Sequence, residues 1–424
     1  MTIRSPCAIA AEPAPALTPV TRRTVLCALI GACGAVLAPR TAAGAEAPVS
    51  LAAPERLAQL HVAATGELLA LSGTGRLWQF DGRTWQQRGA GLDPRAPLAS
   101  GHGRIAGRAA AGGLWVLEAG RATQVAAPRL LPDAGLHVLP LGVIAVAEGA
   151  GGRAYAVRLE PVSVDAWRET ARSTEPVLPD ARPQQVDLDG PLSAAGDGHI
   201  LVLGGPDGER YRHAVLGDSI EATRVLYLER HGLEPLRTLV LPAPHVLEDI
   251  APRPIEWAGA TGLLTVRSGP QGAQLAVVAA DRAKRDALAL AALGEPLGTP
   301  NRWMAATTDG RRLLAVHTPH IGGALHEYVR EANALRGRRI AGAYSTHALG
   351  SRELDLAAWA GGALVLPGQD RRTLHVLAGE SWSQRSVYAL PQPVVATRAW
   401  RSGARPGAAA LLADGSVVWV AVAQ

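Results

Sequence analysis

The chain has 424 residues, of which 48% are hydrophobic and 19% charged, and its formal net charge at pH 7 is +5. This balance is typical of a globular chain that buries a large core. Residues 1–45 carry Arg4, Arg22, Arg23 and Arg40 against Glu12, so the remainder has a net charge of only +2. Because that remainder lacks a strongly basic surface, we expect no nucleic-acid partner.

The first 45 residues have the features of an export signal. Arg22 and Arg23 precede an apolar run from 25 to 38, and the segment ends in Ala-Gly-Ala, a signal peptidase pattern. The run is too short to remain as a membrane span. The paired arginines resemble the twin-arginine motif, which directs folded bacterial proteins across the inner membrane. We predict a cleaved signal peptide, a mature domain over 46–424 without a transmembrane segment, and a periplasmic location.

All three cysteines, Cys7, Cys27 and Cys33, lie in this leader. The mature chain therefore has no disulfide, no thiol nucleophile and no cysteine-ligated metal. The stretch from Leu29 to Cys33 also resembles a lipobox, and acylation of Cys33 would anchor the protein by lipid. The well-formed peptidase site at Ala45 favours a protein without that anchor.

Short apolar stretches separated by Gly, Asp and Pro turns follow through the whole mature chain, which predicts an all-β fold. Hairpins begin near Leu68, Ile105, Val143, Ile200, Leu263, Leu313, Ala363 and Ala409. Their average step of about 49 residues suits four-stranded blades stacked radially into a β-propeller. Counting hairpins gives eight blades. Seven remain if the two short early units form one irregular blade, and a tandem of β-sandwiches is the other architecture.

One stretch of sequence occurs twice. The segment RLWQFDGRTWQQRG at 76–89 returns without a gap as TLHVLAGESWSQRS at 373–386. We expect both copies at the turn from the third to the outer strand of a blade, with a glycine in the turn and a tryptophan at the blade edge. Trp78, Trp115 and Trp419 each follow a turn and are expected on third strands, filling the space between sheets.

The two ends of the mature chain complete the ring. Three strands follow residue 394 before the chain stops, so one blade lacks its outer strand. Pro48 to Ala53, directly after the leader, can supply it. This strand exchange between the termini would remove the open edge of the ring.

A histidine-rich hairpin is the first candidate for chemistry. His317, His320, His326 and Glu327 lie within eleven residues, and a turn at 319–323 would set His317 and His326 against each other. Two imidazoles and a carboxylate are a ligand set for a divalent metal. An ordinary polar hairpin is the alternative, because strand alternation turns His326 and Glu327 to opposite faces.

Two further polar clusters fall between predicted blades, where connections reach the central funnel. The first contains His245, Glu248, Asp249, Arg253 and Glu256, and the second contains Arg352, Glu353 and Asp355. Their carboxylates are suited to binding a cation or to acid-base work. Solvated loops that cap their own turns are the alternative for both clusters.

Signatures of the common catalytic machineries are missing from the sequence. It contains no Gly-x-Ser-x-Gly elbow, phosphate-binding loop, Cys-x-x-Cys-His haem site or His-Glu-x-x-His helix. We predict no cofactor beyond the divalent metal considered above. Propeller sites assembled from several blades leave no local signature, so catalysis remains open.

The repeated hairpins resemble the broad propeller superfamily that includes WD-repeat, YVTN-type and quinoprotein amine dehydrogenase-like chains. The segment from 313 to 390, with its histidine hairpin and second tryptophan repeat, is similar to the heavy chain of methylamine dehydrogenase. That resemblance implies a periplasmic propeller with a partner subunit, because the quinone of that enzyme sits on a separate light chain.

Two functions follow from these observations. The favoured one is an exported binding or scaffold protein with a small ligand or a periplasmic protein partner on its funnel face. The alternative is a periplasmic redox enzyme or enzyme subunit, which the twin-arginine leader and the histidine hairpin favour.

Overall fold

The computed structural model describes residues 47–422 except 127, 164–165 and 194–197. The described residues belong to one compact unit. These described residues form eight four-stranded antiparallel blades, three of which are joined into one 13-stranded sheet, and contain no α-helix; a 3-10 turn spans Ala150–Gly152. None of them forms a helix of the length and apolarity needed to cross a membrane. The predicted leader, including Cys33, lies outside the described residues.

The blades are numbered here in chain order, and the four strands of each blade are given from the first to the fourth. The strands of blades 1 to 4 are Leu57–Val62, Leu68–Ser72, Arg76–Phe80 and Trp85–Ala90; Ala99–Gly101, Arg104–Arg108, Leu114–Glu118 and Arg121–Val125; His137–Leu139, Gly142–Glu148, Ala154–Ser163 and Ala166–Arg172; Gln184–Val186, His199–Asp207, Glu221–Leu228 and Pro235–Val240. The strands of blades 5 to 8 are Arg253–Trp257, Ala260–Ser268, Gln274–Ala280 and Leu288–Gly294; Met304–Thr308, Leu313–His317, Ala324–Glu331 and Ala334–Ala341; Ala358–Ala360, Ala363–Pro367, Thr373–Ala378 and Ser383–Ala389; Val394–Ala399, Gly407–Leu412, Val417–Ala421 and Val49–Ser50.

Apolar side chains between neighbouring blades hold the ring together. Both faces of the middle strands are apolar, so each sheet must be covered on two sides. Every buried cluster combines residues of adjacent blades. One cluster joins Leu60 and Phe80 of blade 1 to Leu411 and Trp419 of blade 8, which closes the circle. The predicted propeller is confirmed with eight blades; the seven-blade count and the sandwich tandem are wrong.

Blades 4, 5 and 6 are also joined by backbone hydrogen bonds. The short strand Val246–Leu247 pairs with the third strand of blade 4 and the second strand of blade 5. The outer strand of blade 5 then pairs in parallel with that of blade 6, through Leu293 with Ala334 and Gly294 with Leu335. The sequence pattern did not predict these bridges, because no apolar period marks a two-residue strand.

The two copies of the repeated sequence occupy equivalent places. Each lies at the turn before an outer strand, in blades 1 and 7, and Gly82 and Gly379 have φ values of 98° and 78°. A side chain is strained in that left-handed region, which explains the repeated glycine. Trp85 and Trp382 are both buried, each against the preceding blade in the ring. The repeat is therefore a packing requirement met twice.

The outer strand of blade 8 comes from the start of the described chain. Val49 pairs with Trp419 and Ser50 with Val418, and the Leu51 amide donates to the Val417 carbonyl at 2.9 Å. The expected exchange between the termini is confirmed, but the strand is shorter than the predicted segment 48–53. Leu51 contributes more than this pairing, because its buried side chain packs where blades 8 and 1 meet.

The connections between blades share one end of the ring. In these four-stranded meanders, the connection from one blade to the next and the turn between second and third strands lie at the same end. We call this end the top face. It includes two long segments, the turn at 208–220 in blade 4 and the connection at 342–357 between blades 6 and 7.

We expect Leu51→Ala to lower the free energy of unfolding by about 2–4 kcal/mol, because it opens a cavity at the closure of the ring. Val49→Ala is the control on the same strand, where the side chain is 47% exposed, and should cost less than about 1 kcal/mol. Urea denaturation followed by tryptophan fluorescence measures both. Equal losses for the two variants would contradict the assigned packing.

Candidate functional site

A cavity of about 500 Å³ lies where the inner strands of blades 1 and 8 meet the top-face connections. Its walls come from six blades or the connections leading to them. The polar residues of the lining are Gln59, His61, Arg95, Arg182, Ser351, Arg352, Glu353, Asp355 and Arg398. We call this space the axial cavity. Three of the residues singled out from the sequence, Arg352, Glu353 and Asp355, line it.

Arg398 and Glu353 form an ion pair in the wall of the axial cavity. The Arg398 guanidinium donates to both carboxylate oxygens of Glu353, at 2.7 and 3.3 Å, and to the carbonyls of Asp355 and Thr397. Although burial opposes the charge, the Arg398 guanidinium holds the pKa of Glu353 below its usual value. The pair thus joins the inner strand of blade 8 to the connection before blade 7.

Arg352 ties three top-face segments together. Its guanidinium donates to Asp180 at 2.9 Å and to Asp218 at 2.5 Å, and lies 3.9 Å from Asp133. Burial, reinforced by the charge of Asp218, raises the pKa of Asp180 to about 6 despite this contact. The long connection at 342–357 is thereby fixed to segments from blades 3 and 4.

Glu221 is a buried carboxyl at the start of the third strand of blade 4. Its side chain is 3% exposed, and Glu248, Asp180 and Asp218 all lie near enough to act on it electrostatically. Burial, followed by these negative charges, raises its pKa to about 10. Glu221 is therefore protonated at neutral pH.

Glu248, predicted as a funnel residue, is fully buried and does not line the axial cavity. It accepts hydrogen bonds from Ser268 Oγ at 2.5 Å and from His213 Nδ1 at 2.5 Å. An ionised carboxylate can only accept, so in that state of Glu248 the proton in this hydrogen bond is on His213 Nδ1. Burial raises the pKa of Glu248 in spite of these bonds.

The neighbouring predicted residues do not line the axial cavity, and Asp249 and Arg253 make local contacts with each other. Asp249 is buried and accepts hydrogen bonds from Thr265 at 2.9 Å and from its own turn, and Arg253 approaches it at 3.5 Å. His245 is half-buried, and its Nδ1 has no hydrogen-bond partner among the described residues. The alternative of a loop that caps its own turn fits Asp249.

The histidine hairpin forms with its turn where the sequence predicted it, but its side chains divide among three settings. His317 and His326 stack with ring centroids 3.6 Å apart and an angle of 11°, while Glu327 pairs with Arg338 at 2.7 Å. Imidazole lone pairs lie in the ring plane, so two stacked parallel rings do not direct them to one point. The described ranges contain no group of three or more His, Asp or Glu suited to hold a metal. The divalent-metal prediction gains no geometric support.

His320 leaves the hairpin and joins a second histidine. His347 Nε2 donates to the Ser351 carbonyl at 2.8 Å, so its Nδ1 accepts from His320 Nε2 at 3.0 Å. Burial lowers the pKa of His347 to about 4, which keeps it neutral. Both rings lie against Trp303, whose indole donates to the Glu248 carbonyl at 3.0 Å. His320 therefore belongs with the Glu248 network.

Several residues of the site were not predicted from the sequence. The omitted ones are His61, Arg95, Asp180, Arg182, His213, Asp218, Glu221, His347 and Arg398. A usable signal exists, because segments rich in Asp, Pro and Arg stand before successive inner strands, as in DPRAP at 93–97 and PDARP at 179–183. Once eight blades are counted, these segments share the top face.

No protein-family model matches this chain, and no curated protein sequence matches it. Among solved structures it is similar to Sqt1 of Saccharomyces cerevisiae, with a TM-score of 0.59 and 10% identity, covering 89% of this chain and 100% of Sqt1. The computationally designed protein Ika8 gives a TM-score of 0.54 and 9% identity, covering 88% of this chain and 100% of Ika8. At such identities the similarity establishes the fold alone.

We expect Glu221→Gln to flatten the dependence of stability on pH. The Glu221 pKa rises from 4.5 to about 10 on folding, so the unfolded chain releases this proton first and wild-type stability falls as the pH rises between these values. One such proton contributes at most about 1.4 kcal/mol per pH unit. Chemical denaturation from pH 5 to 9 measures the slope. The exposed control Glu234→Gln should keep the wild-type slope, and a parallel profile for Glu221→Gln would refute the assignment.

We expect Arg352→Gln to destabilise the protein by about 2 kcal/mol, because it leaves the buried Asp180 without its cation. The same variant should raise the Asp180 pKa further above its present value of about 6. Denaturation at pH 5 and pH 8 separates these effects, since the loss should be smaller at pH 5, where Asp180 is protonated. A loss independent of pH would indicate that packing alone is affected.

Proposed function

We propose that this protein is an exported, periplasmic binding protein that takes a small polar ligand into the axial cavity at its top face. The observation that carries the proposal is a cavity of about 500 Å³ whose walls come from the inner strands of two blades and from four connections between blades. Small-molecule pockets commonly fall between roughly 300 and 1,000 Å³. A ligand in this position would contact residues from several parts of the ring at once. Those residues together would form a single site.

The nature of the lining supports binding over catalysis. Gln59 donates to the Pro94 carbonyl at 2.5 Å and the Ala96 carbonyl at 3.0 Å, so its position is fixed by the connection between blades 1 and 2. Burial, followed by the charge of Arg398, lowers the pKa of His61 to about 4. A histidine that stays neutral at pH 7 and hydrogen-bonds Ser100 at 2.8 Å suits ligand recognition better than proton transfer.

Export rests on the leader and remains part of the proposal. The paired arginines at 22–23 and the peptidase pattern at 43–45 support periplasmic release through a twin-arginine-type pathway. A lipid anchor at Cys33 is the less favoured form. The redox alternative keeps its support from the leader, but the stacked pair His317 and His326 adds none to it.

We expect Ala58→Trp to abolish ligand binding by filling the axial cavity. Ala58 is exposed on the inner strand of blade 1 and lines the cavity, so the indole enters the space without displacing the core. Thermal-shift titration of the mature protein with acetate, citrate, inorganic phosphate, glucose, glycine and choline measures binding, because a ligand of the folded state raises Tm.

Ala122→Trp is the matched control, since Ala122 is an exposed alanine on the outer strand of blade 2. It should bind as the wild type does. The proposal fails if no probe gives a saturable shift, or if the shifts survive in Ala58→Trp.

A further inference from the structure

Arg182 is a cavity-lining cation that forms no ion pair with a carboxylate of the described residues. It stands on the connection between blades 3 and 4, is half-buried and lines the axial cavity. One of its amino groups donates to the Arg352 carbonyl, while its buried Nε has no acceptor within the described ranges. The carboxylate of Glu353 pairs with Arg398, and the positive charge of the nearby Arg182 also helps to lower the pKa of Glu353. A guanidinium has five donors, so most of its hydrogen-bonding capacity remains available.

The backbone around Arg182 holds its side chain in place. The Arg182 amide donates to the Ile250 carbonyl at 3.1 Å, and the Gly135 amide donates to the Ala181 carbonyl at 3.0 Å. A Cβ on Gly135 would lie 2.9 Å from Arg182 Cγ and 3.1 Å from Arg182 Cα and Cβ. The connection between blades 2 and 3 therefore needs glycine where the arginine crosses it. Contacts within its own connection and with the connection that carries Gly135 therefore fix the position of Arg182.

Arg95 adds a second positive group to the lining. It donates to Asp93 through Nε at 3.3 Å and through an amino group at 3.1 Å, and its side chain is 64% exposed. The same carboxylate also pairs with the buried Arg108. Asp93 thus serves two guanidiniums. Asp133, which also lies near Arg352, acts electrostatically on Arg95, so Arg95 shares both carboxylates with other cations. A bound oxyanion would receive charge-assisted bonds from Arg95.

The other charged groups of the lining are compensated or placed elsewhere. Arg398 is paired with Glu353 and Arg352 with Asp180 and Asp218. Asp355 is exposed on the connection before blade 7, and its carboxylate accepts no hydrogen bond from a described side chain. A carboxylate in the wall disfavours ligands of high negative charge, since each further charge would meet repulsion.

We propose that the axial cavity binds a small organic monoanion whose carboxylate or other singly charged oxyanion group lies between Arg182 and Arg95. This inference rests on the proposed function, because it assumes that the axial cavity is the binding site. It specifies the chemical class of the ligand: one oxyanion group, on a molecule small enough for about 500 Å³. A cationic group elsewhere on the ligand is compatible with Asp355.

The test uses the mature protein at constant ionic strength, with acetate, lactate and glycine as singly charged oxyanion probes. Citrate is the multiply charged probe, and choline and glucose are the cationic and neutral ones. Saturable thermal shifts are expected for the singly charged carboxylates, with weaker binding of citrate. Arg182→Gln should weaken carboxylate binding at least about tenfold, because a charge-assisted hydrogen bond is lost. Arg182→Lys should retain part of the affinity, since it keeps the charge.

Arg168→Gln, at an exposed arginine on the outer strand of blade 3, is the matched control and should leave the affinity unchanged. Carboxylate binding that is lost in Ala58→Trp but equal in Arg182→Gln and wild type overturns the monoanion inference and leaves the binding cavity intact. The monoanion inference is also overturned, and the binding cavity left intact, if only choline or glucose binds and that binding is lost in Ala58→Trp. Absence of any cavity-dependent shift overturns both proposals. A destabilised Arg182→Gln is recognised by its Tm without ligand, and Arg182→Lys then decides.

Discussion

The whole structure depends on each sheet being covered on both sides by its neighbours. A four-stranded antiparallel sheet with two apolar faces has no stable form alone, and a closed circle satisfies every sheet at once. Closure here rests on a very short outer strand, Val49–Ser50, together with the buried side chain of Leu51. The aromatic groups of Phe80, Trp85 and Trp400 pack at the same junction. Packing more than strand pairing therefore closes the ring.

The strands need apolar side chains because neighbouring blades cover them. Polar residues are concentrated outside the strands, in the connections of the top face. These segments must satisfy their own backbone groups, and they do so with Asp and Arg side chains that also reach neighbouring connections. Arg352 is the clearest case, since it binds carboxylates from two other segments. Arg182 also lines the axial cavity but takes part in no such pair with a described carboxylate.

The sequence predicts the ring well because blade formation is a local property. All eight hairpin starts mark second strands, and the third-strand residues Trp115 and Trp419 are buried between sheets as expected. The site was predicted only in part, because its residues lie far apart in the chain. Glu353 was found from a local cluster, whereas His213 and Arg182 show their roles only beside Glu248 and Gly135. Those partners are set by the ring geometry, which no single segment encodes.

Backbone pairing between blades 4, 5 and 6 makes the ring unequal around its circumference. Those three sheets form one continuous hydrogen-bonded arc, while the other five blades are held to their neighbours mainly by side chains. Shifting two blades that touch only through side chains costs less free energy than breaking the backbone hydrogen bonds between two paired strands. Any widening of the central opening must then be taken up on the softer side, and the inner strands of blades 8 and 1 that border the axial cavity belong to that side. We therefore expect the blades around the buried Glu221 to move least, and the blades beside the axial cavity to move most, when the ring deforms.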